Sequence, residues 1–309
     1  MNRRNFIAKL GLGAATGAVG SAAYAQPAQV PQGGSFKLKY APHFGMFAPK
    51  LGTKDPVEEL KYAHSVGFRA WEDNGLKKRP VEEQERIAKA MGDLGIEMGV
   101  FVLTGSASAT EPTFTVKKED IWNQVLEEVR AGVDVAKRCH VKWMTVVLGA
   151  YDTRLALDYQ TANAVELLKR CCEVLEPHGL VMVLEPLNRH TDHPTMFLAE
   201  SPHAYQICRA VGSPSCKILF DIYHQQITEG NLIPNIDKCW DEIAYFQCGD
   251  NPGRKEPGTG EINYRRVFQH IHKKGWKGIM GMEHGVAVKG AEGVDGLIRA
   301  YREADSFEV

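Results

Sequence analysis

The sequence predicts one α/β domain, a single (β/α)8 barrel over residues 37–309, and three observations carry that expectation. Short apolar runs alternate with amphipathic stretches from Lys37 onward in the 309-residue chain. The runs are continuously apolar, as strands covered on both faces are, instead of alternating in polarity. Eight such runs follow one another, and no glycine-rich phosphate loop comes after the first two. Closure into a barrel is then simpler than a doubly wound open sheet.

The first run is LKYAPHF (38–44). Asp55-Pro56 reads as a helix N-cap with proline at the first helical position, and FRAWE (68–72) is the second run. IEMGVFVL (96–103) follows, then Ile121, Val125 and Val129 recur on one helical face. After WMTVVL (143–148), the stripe Val165, Leu168, Cys172 and Leu175 marks the next helix. LVMVLE (180–185) leads to Ser201-Pro202, a second N-cap and proline pair. KILFD (217–221), IAYFQ (243–247) and GIMGME (278–283) complete the set, and Asn263 caps the helix between the last two.

Residues 1–25 have the layout of a signal peptide. Arg3-Arg4-Asn5-Phe6, a Gly/Ala-rich stretch and the small-x-small site Ala23-Tyr24-Ala25 resemble a twin-arginine export signal. Residues 26–36 read as a linker. Cleavage removes Arg3, Arg4 and Lys9 and no acid, and the expected location is periplasmic or secreted. The seven cysteines form no C-x-x-C pair and most sit in apolar strand or helix patterns, so buried free thiols are expected. A net charge of −1 with intermixed signs, and no basic–aromatic stretch, gives no expectation of nucleic acid as a partner. No membrane partner is expected once the signal is cleaved.

The last four strands end in Glu185, Asp221, Gln247 and Glu283. In a parallel barrel every strand C-terminus emerges on one face, where the active sites of this fold lie. One such acid alone could be a solvated loop residue. Three carboxylates converging with an amide repel one another and stay ionised only around a cation. The donor set is all oxygen, which favours one Mn²⁺ or Mg²⁺ over zinc.

The stretches LEPLNRHTDHP (184–194), FDIYHQQITEG (220–230) and QCGDNPGRKEPGTGEINY (247–264) resemble the hydroxypyruvate isomerase family, within the xylose isomerase-like barrels. The resemblance implies that Glu185, Asp221, Gln247 and Glu283 bind one divalent cation and that Glu185 and Glu283 form the acid–base pair. It also implies that His224 hydrogen-bonds a substrate oxygen and that Arg254 holds a hydroxyl or carboxylate. Glu256 would orient Arg254, meet substrate, or as a loop acid do neither. His43 and Glu72, at the ends of the first two strands, are further candidates for substrate contact, with Phe47 and Trp71 as an apolar wall. Tyr245 stands where the family pattern has histidine. The glutamine at 247 favours the hydroxypyruvate isomerase branch over the ketose epimerases, which often carry histidine there. Family members form dimers and tetramers, so a homo-oligomer is among the expectations.

The expected reaction is isomerisation of a small hydroxy-carbonyl compound through an enediolate, with proton transfer between two glutamates. Epimerisation of ketoses, metal-dependent lysis or hydrolysis of oxidised glycosides, and non-catalytic sugar binding stay open. An exported enzyme would meet a free sugar, an oxidised sugar or a sugar acid.

Overall fold

The structure, a computed structural model, describes residues 34–104 and 110–309. The expected signal peptide (1–25) and most of the linker lie outside the described residues. Strands are β1 (Lys39–Ala41), β2 (Ala70–Trp71), β3 (Glu97–Met98), β4 (Phe101–Val102), β5 (Trp143–Val146), β6 (Val181–Leu184), β7 (Cys216–Asp221), β8 (Ile243–Gln247) and β9 (Ile279–Gly281). Interleaved are α1 (Ala48–Leu51), α2 (Pro56–Ser65), α3 (Val81–Leu94), α4 (Glu119–Cys139), α5 (Leu157–Leu175), α6 (Ser201–Val211), α7 (Ile222–Thr228), α8 (Leu232–Cys239), α9 (Tyr264–Lys273) and α10 (Gly290–Ala304).

The main sheet is parallel, in the order β1-β9-β8-β7-β6-β5-β4, and β2 pairs with β3. A parallel bridge between His43 and Glu72 joins β1 to β2 and continues the ring. The eight expected runs are therefore the eight staves of an α/β barrel, the third broken into β3 and β4. The break falls at Gly99 and Val100. A Cβ on Gly99 would lie 2.2 Å from the Tyr245 hydroxyl, which reaches across the barrel from β8. Gly99→Ala is thus expected to lower stability by about 1–3 kcal/mol through overpacking, visible as a fall in Tm.

Side chains two apart on a strand share a face. Val183, Leu219, Tyr245 and Ile279 pack with Ala41, Ala70 and Val100 as the barrel's inner cluster. The same pleat carries Asp221 inward beyond Leu219 and Gln247 inward beyond Tyr245. Their neighbours Phe220 and Phe246 pack on each other in the outer layer between strands and helices, ring centroids 5.9 Å apart.

Asp55 caps α2 and Asn263 caps α9, as expected. Ser201 corrects the third expectation. It is the first residue of α6, and its N–H (3.0 Å) and hydroxyl (2.7 Å) donate to Glu229, whose carboxylate does the capping. All seven cysteines are buried and free. Among the described residues, no helix is long and apolar enough to cross a membrane.

Candidate active site

Glu185 directly follows β6, Asp221 ends β7, His224 lies on α7 and Glu283 comes two residues after β9. One ligand atom from each lies within 4.8 Å of all the others. Asp221 serves two structures at once. Its Oδ1 accepts from the backbone N–H of Tyr223 (2.7 Å) and of His224 (3.4 Å), starting α7. Its Oδ2 faces the cluster, 3.4 Å from Arg254 Nη2. Glu283 accepts from Asn74 Nδ2 (2.9 Å) on one oxygen and from Arg254 Nη2 (2.6 Å) on the other. Glu185 accepts no hydrogen bond from the described residues; His224 Nε2 lies 3.8 Å from its Oε1.

The electrostatics follow from this crowding. Burial pushes the Glu185 carboxyl well above the usual carboxylate range, and the charges of Glu283 and Asp221 push it further. Burial also raises Glu283 and Asp221, against the pull of Arg254 on both. Gln247 sits in register beside Asp221. Its Nε2 donates to Glu72 Oε1 (2.8 Å), while its Oε1 is buried without a partner. Three gathered carboxylates, with an orphaned amide oxygen on the residue in register with Asp221, are hard oxygen donors of the kind that would suit Mn²⁺ or Mg²⁺.

His224 completes the cluster differently. Its Nδ1 accepts from Asn188 Nδ2 (2.7 Å) and faces the Asn188 N–H (3.3 Å). The amide orientation is fixed, because Asn188 Oδ1 accepts from the Thr191 and Asp192 backbone. A neutral ring with Nδ1 accepting carries its proton on Nε2. Burial, with Arg254 and His193 nearby, holds His224 well below the ordinary histidine range, so the neutral form persists. Its Nε2–H, buried and unpartnered, is a donor aimed at the cluster. Replacing Asn188 by alanine frees the ring to change tautomer. Asn188→Ala is expected to cut turnover by about 10-fold or more without changing bound metal, as steady-state rates beside metal analysis would read.

Arg254 is delivered by the loop between β8 and α9. Its backbone is in the left-handed region (φ 50°), its Nε donates to the Glu283 carbonyl (3.0 Å), and its guanidinium lies 4.9 Å from the Tyr223 ring. The loop is organised by Asp250. One of its oxygens accepts from Gly258 N–H (2.8 Å) and Gly260 N–H (2.9 Å), the other from Asn251 (2.9 Å) and Ile262 (3.1 Å). A Cβ on Gly260 would meet the Asn251 carbonyl at 2.2 Å, so the close approach there needs glycine.

The other expected residues lie outside the four-residue cluster. Glu72 is buried beneath Gln247, with its oxygens taken by Gln247 Nε2 and by the Tyr245 hydroxyl (2.9 Å). Glu256 is also buried, and accepts from the Ala287 N–H (2.9 Å), pinning the segment after β9. His43 is half-buried, its ring nitrogens facing the Phe44 (3.1 Å) and His284 (3.2 Å) carbonyls. Phe47 and Trp71 are fully buried packing residues. Asn74 and Asn188 were not singled out from sequence; both follow a strand-end acid within three residues, the one signal that could have marked them.

Residues 60–304 match the family described as xylose isomerase-like TIM barrel. Hydroxypyruvate isomerase of Escherichia coli K12 is 33% identical over 156 residues, 50% of this chain and 60% of that enzyme, under two thirds of its length. A Danio rerio protein provisionally named as a hydroxypyruvate isomerase is 29% identical over 262 residues, 81% of this chain and 92% of its own. The crystal structure of the apo 3-keto-D-glucoside 4-epimerase from Escherichia coli superposes with a TM-score of 0.71 at 19% identity, covering 86% of this chain and 99% of that one, a likeness of fold. With the parallel barrel and its strand-end acids, these matches place the chain in the xylose isomerase-like TIM barrel family.

Proposed function

We propose that this protein is a divalent-metal-dependent isomerase of a small hydroxy-carbonyl compound, of the hydroxypyruvate isomerase type. The observation that carries the reading is the gathering of Glu185, Asp221 and Glu283 within 4.8 Å, together with His224. Removing a proton from a carbon beside a carbonyl needs a base and a means of bearing the charge left behind. A Mn²⁺ or Mg²⁺ ion held by Glu185, Asp221, Gln247 and Glu283 would polarise the carbonyl as a Lewis acid. Glu185 and Glu283 act as the proton carriers, one taking the proton and the other, or the same one, returning it to the neighbouring carbon. Arg254 favours the ionised, basic form of Glu283. His224 donates from Nε2 to a substrate oxygen, and Arg254 offers a guanidinium to a hydroxyl or carboxylate. If the chain is exported, the substrate is a free sugar, an oxidised sugar or a sugar acid.

The test is proton NMR in D₂O with the Mn²⁺-loaded protein, hydroxypyruvate, ketoses and 3-keto sugars, quenched and stripped of metal before recording. Loss of the C–H signal beside the carbonyl with a shifted carbonyl position supports isomerisation. Exchange with inversion only would make it an epimerase, and release of a glycosyl group a lyase. Absence of exchange across the panel would overturn the reading for these compounds.

A further inference from the structure

Gln247 can present either end of its amide to the cluster, since carbonyl and NH₂ are nearly the same shape. Only the carbonyl can hold a cation. We infer that Glu72 and Tyr245 are positioning residues that lock the Gln247 amide with its oxygen toward the cation site. The inference rests on the metal-dependent reading above and assigns that site a residue pair lying beneath it.

Tyr245 and Gln247 are two apart on β8, so both project into the barrel and both reach Glu72 from the adjoining arc. The Gln247 NH₂ donates to Glu72 Oε1 at 2.8 Å, and the Tyr245 hydroxyl donates to Glu72 Oε2 at 2.9 Å. With one carboxylate oxygen taken by the hydroxyl, Glu72 is held where its other oxygen accepts from the Gln247 NH₂. A rotated amide would set its carbonyl against a carboxylate oxygen, with both residues buried. The amide oxygen is thereby left buried and unpartnered, on the residue in register with Asp221.

The space for this arrangement comes from β9 and from the break between β3 and β4. A Cβ on Gly281 of β9 would lie 2.0 Å from Glu72 Oε2 and 2.9 Å from Gln247 Cγ. A Cβ on Gly99 would lie 2.2 Å from the Tyr245 hydroxyl. The arrangement also accounts for the residue type at 247. With an acid beneath it and a cation above, the position must donate on one side and accept on the other. An amide does so, and a neutral histidine would, but a carboxylate would face Glu72 with like charge.

The test is Mn²⁺ affinity, measured by electron paramagnetic resonance on the full chain. The proteins are wild type, Glu72→Gln, Tyr245→Phe, Gln247→Ala and the Glu72→Gln/Gln247→Ala double variant, each checked for a cooperative melt. Glu72→Gln is expected to weaken binding about 10- to 100-fold, and Tyr245→Phe several-fold. In the Gln247→Ala background, Glu72→Gln should change affinity less than about twofold, because no amide remains to orient. An equal loss in both backgrounds would mean that Glu72 acts by charge alone, and an unchanged affinity in Glu72→Gln would also overturn the inference. Should Glu72→Gln fail to fold, Tyr245→Phe decides, since it leaves the carboxylate in place. Wild type that binds Mn²⁺ with no dependence on Glu72 sinks this inference alone. Wild type that binds none sinks the functional reading with it.

Discussion

Glu283→Gln is expected to lower kcat by at least about 10³-fold, within the range that a positioned acid–base group supplies, while the barrel stays folded. The substitution is nearly isosteric. It keeps an oxygen for Asn74 or Arg254 to donate to, but removes the only form of the side chain that can accept and return a proton. It also takes one negative charge from a cluster whose other members lie within 4.8 Å. Deuterium washout at saturating Mn²⁺ separates the two losses, because excess metal restores occupancy and leaves the missing base uncovered. A variant keeping more than about a tenth of the wild-type rate under those conditions would remove Glu283 from the proton-carrying role.

The second large effect concerns Asp221, whose two oxygens do different work. Asp221→Ala removes the cap that starts α7, costing about 1 kcal/mol, together with the oxygen facing the cluster. Asp221→Asn keeps a cap oxygen for the Tyr223 and His224 N–H groups and loses only the charge. Both are expected to weaken Mn²⁺ binding at least about 100-fold, as loss of a direct ligand should exceed loss of an outer partner. Their stabilities should diverge. Burial raises the Asp221 carboxyl above its ordinary range even with Arg254 beside it. In the metal-free protein its ionised form therefore opposes folding above its unfolded pKa, and that cost shrinks as pH falls and the group protonates. Metal-free Asp221→Asn should then melt higher than metal-free wild type at neutral pH, and Asp221→Ala lower than Asp221→Asn. Calorimetry on both, with and without Mn²⁺, checks the order; bound manganese remaining stoichiometric in either would show that Asp221 is not a ligand.

Much of this site was legible because strand chemistry is local. Continuous apolar runs announced the staves, and a polar residue closing four runs in succession announced the mouth. The rule that all strand C-termini of a parallel barrel emerge on one face then brought Asp221 and Gln247 together without any knowledge of their partners. What was not legible depends on contacts between distant segments. Asn74 reaches Glu283 across 209 positions, and Glu72 meets Tyr245 across 173. Nothing in FRAWEDNG distinguishes an acid that faces substrate from one that is bonded within the barrel, because the difference is made by Tyr245 and Gln247 on β8. Ser201 shows the same limit at a helix start. Its residue type suits an N-cap, yet Glu229, 28 residues later, supplies the carboxylate.

The loop that carries Arg254 has a consequence for exchange with solvent. Loops of this length ordinarily open on their own, with free energies far below that of global unfolding. Here the amide protons of Gly258, Gly260 and Ile262 are all held by one carboxylate, Asp250, itself fully buried. Releasing any of them means breaking into the same hub, so the three should lose deuterium protection together. The guanidinium above the carboxylates is thus set before any substrate arrives, and its loop should share the exchange kinetics of the barrel staves.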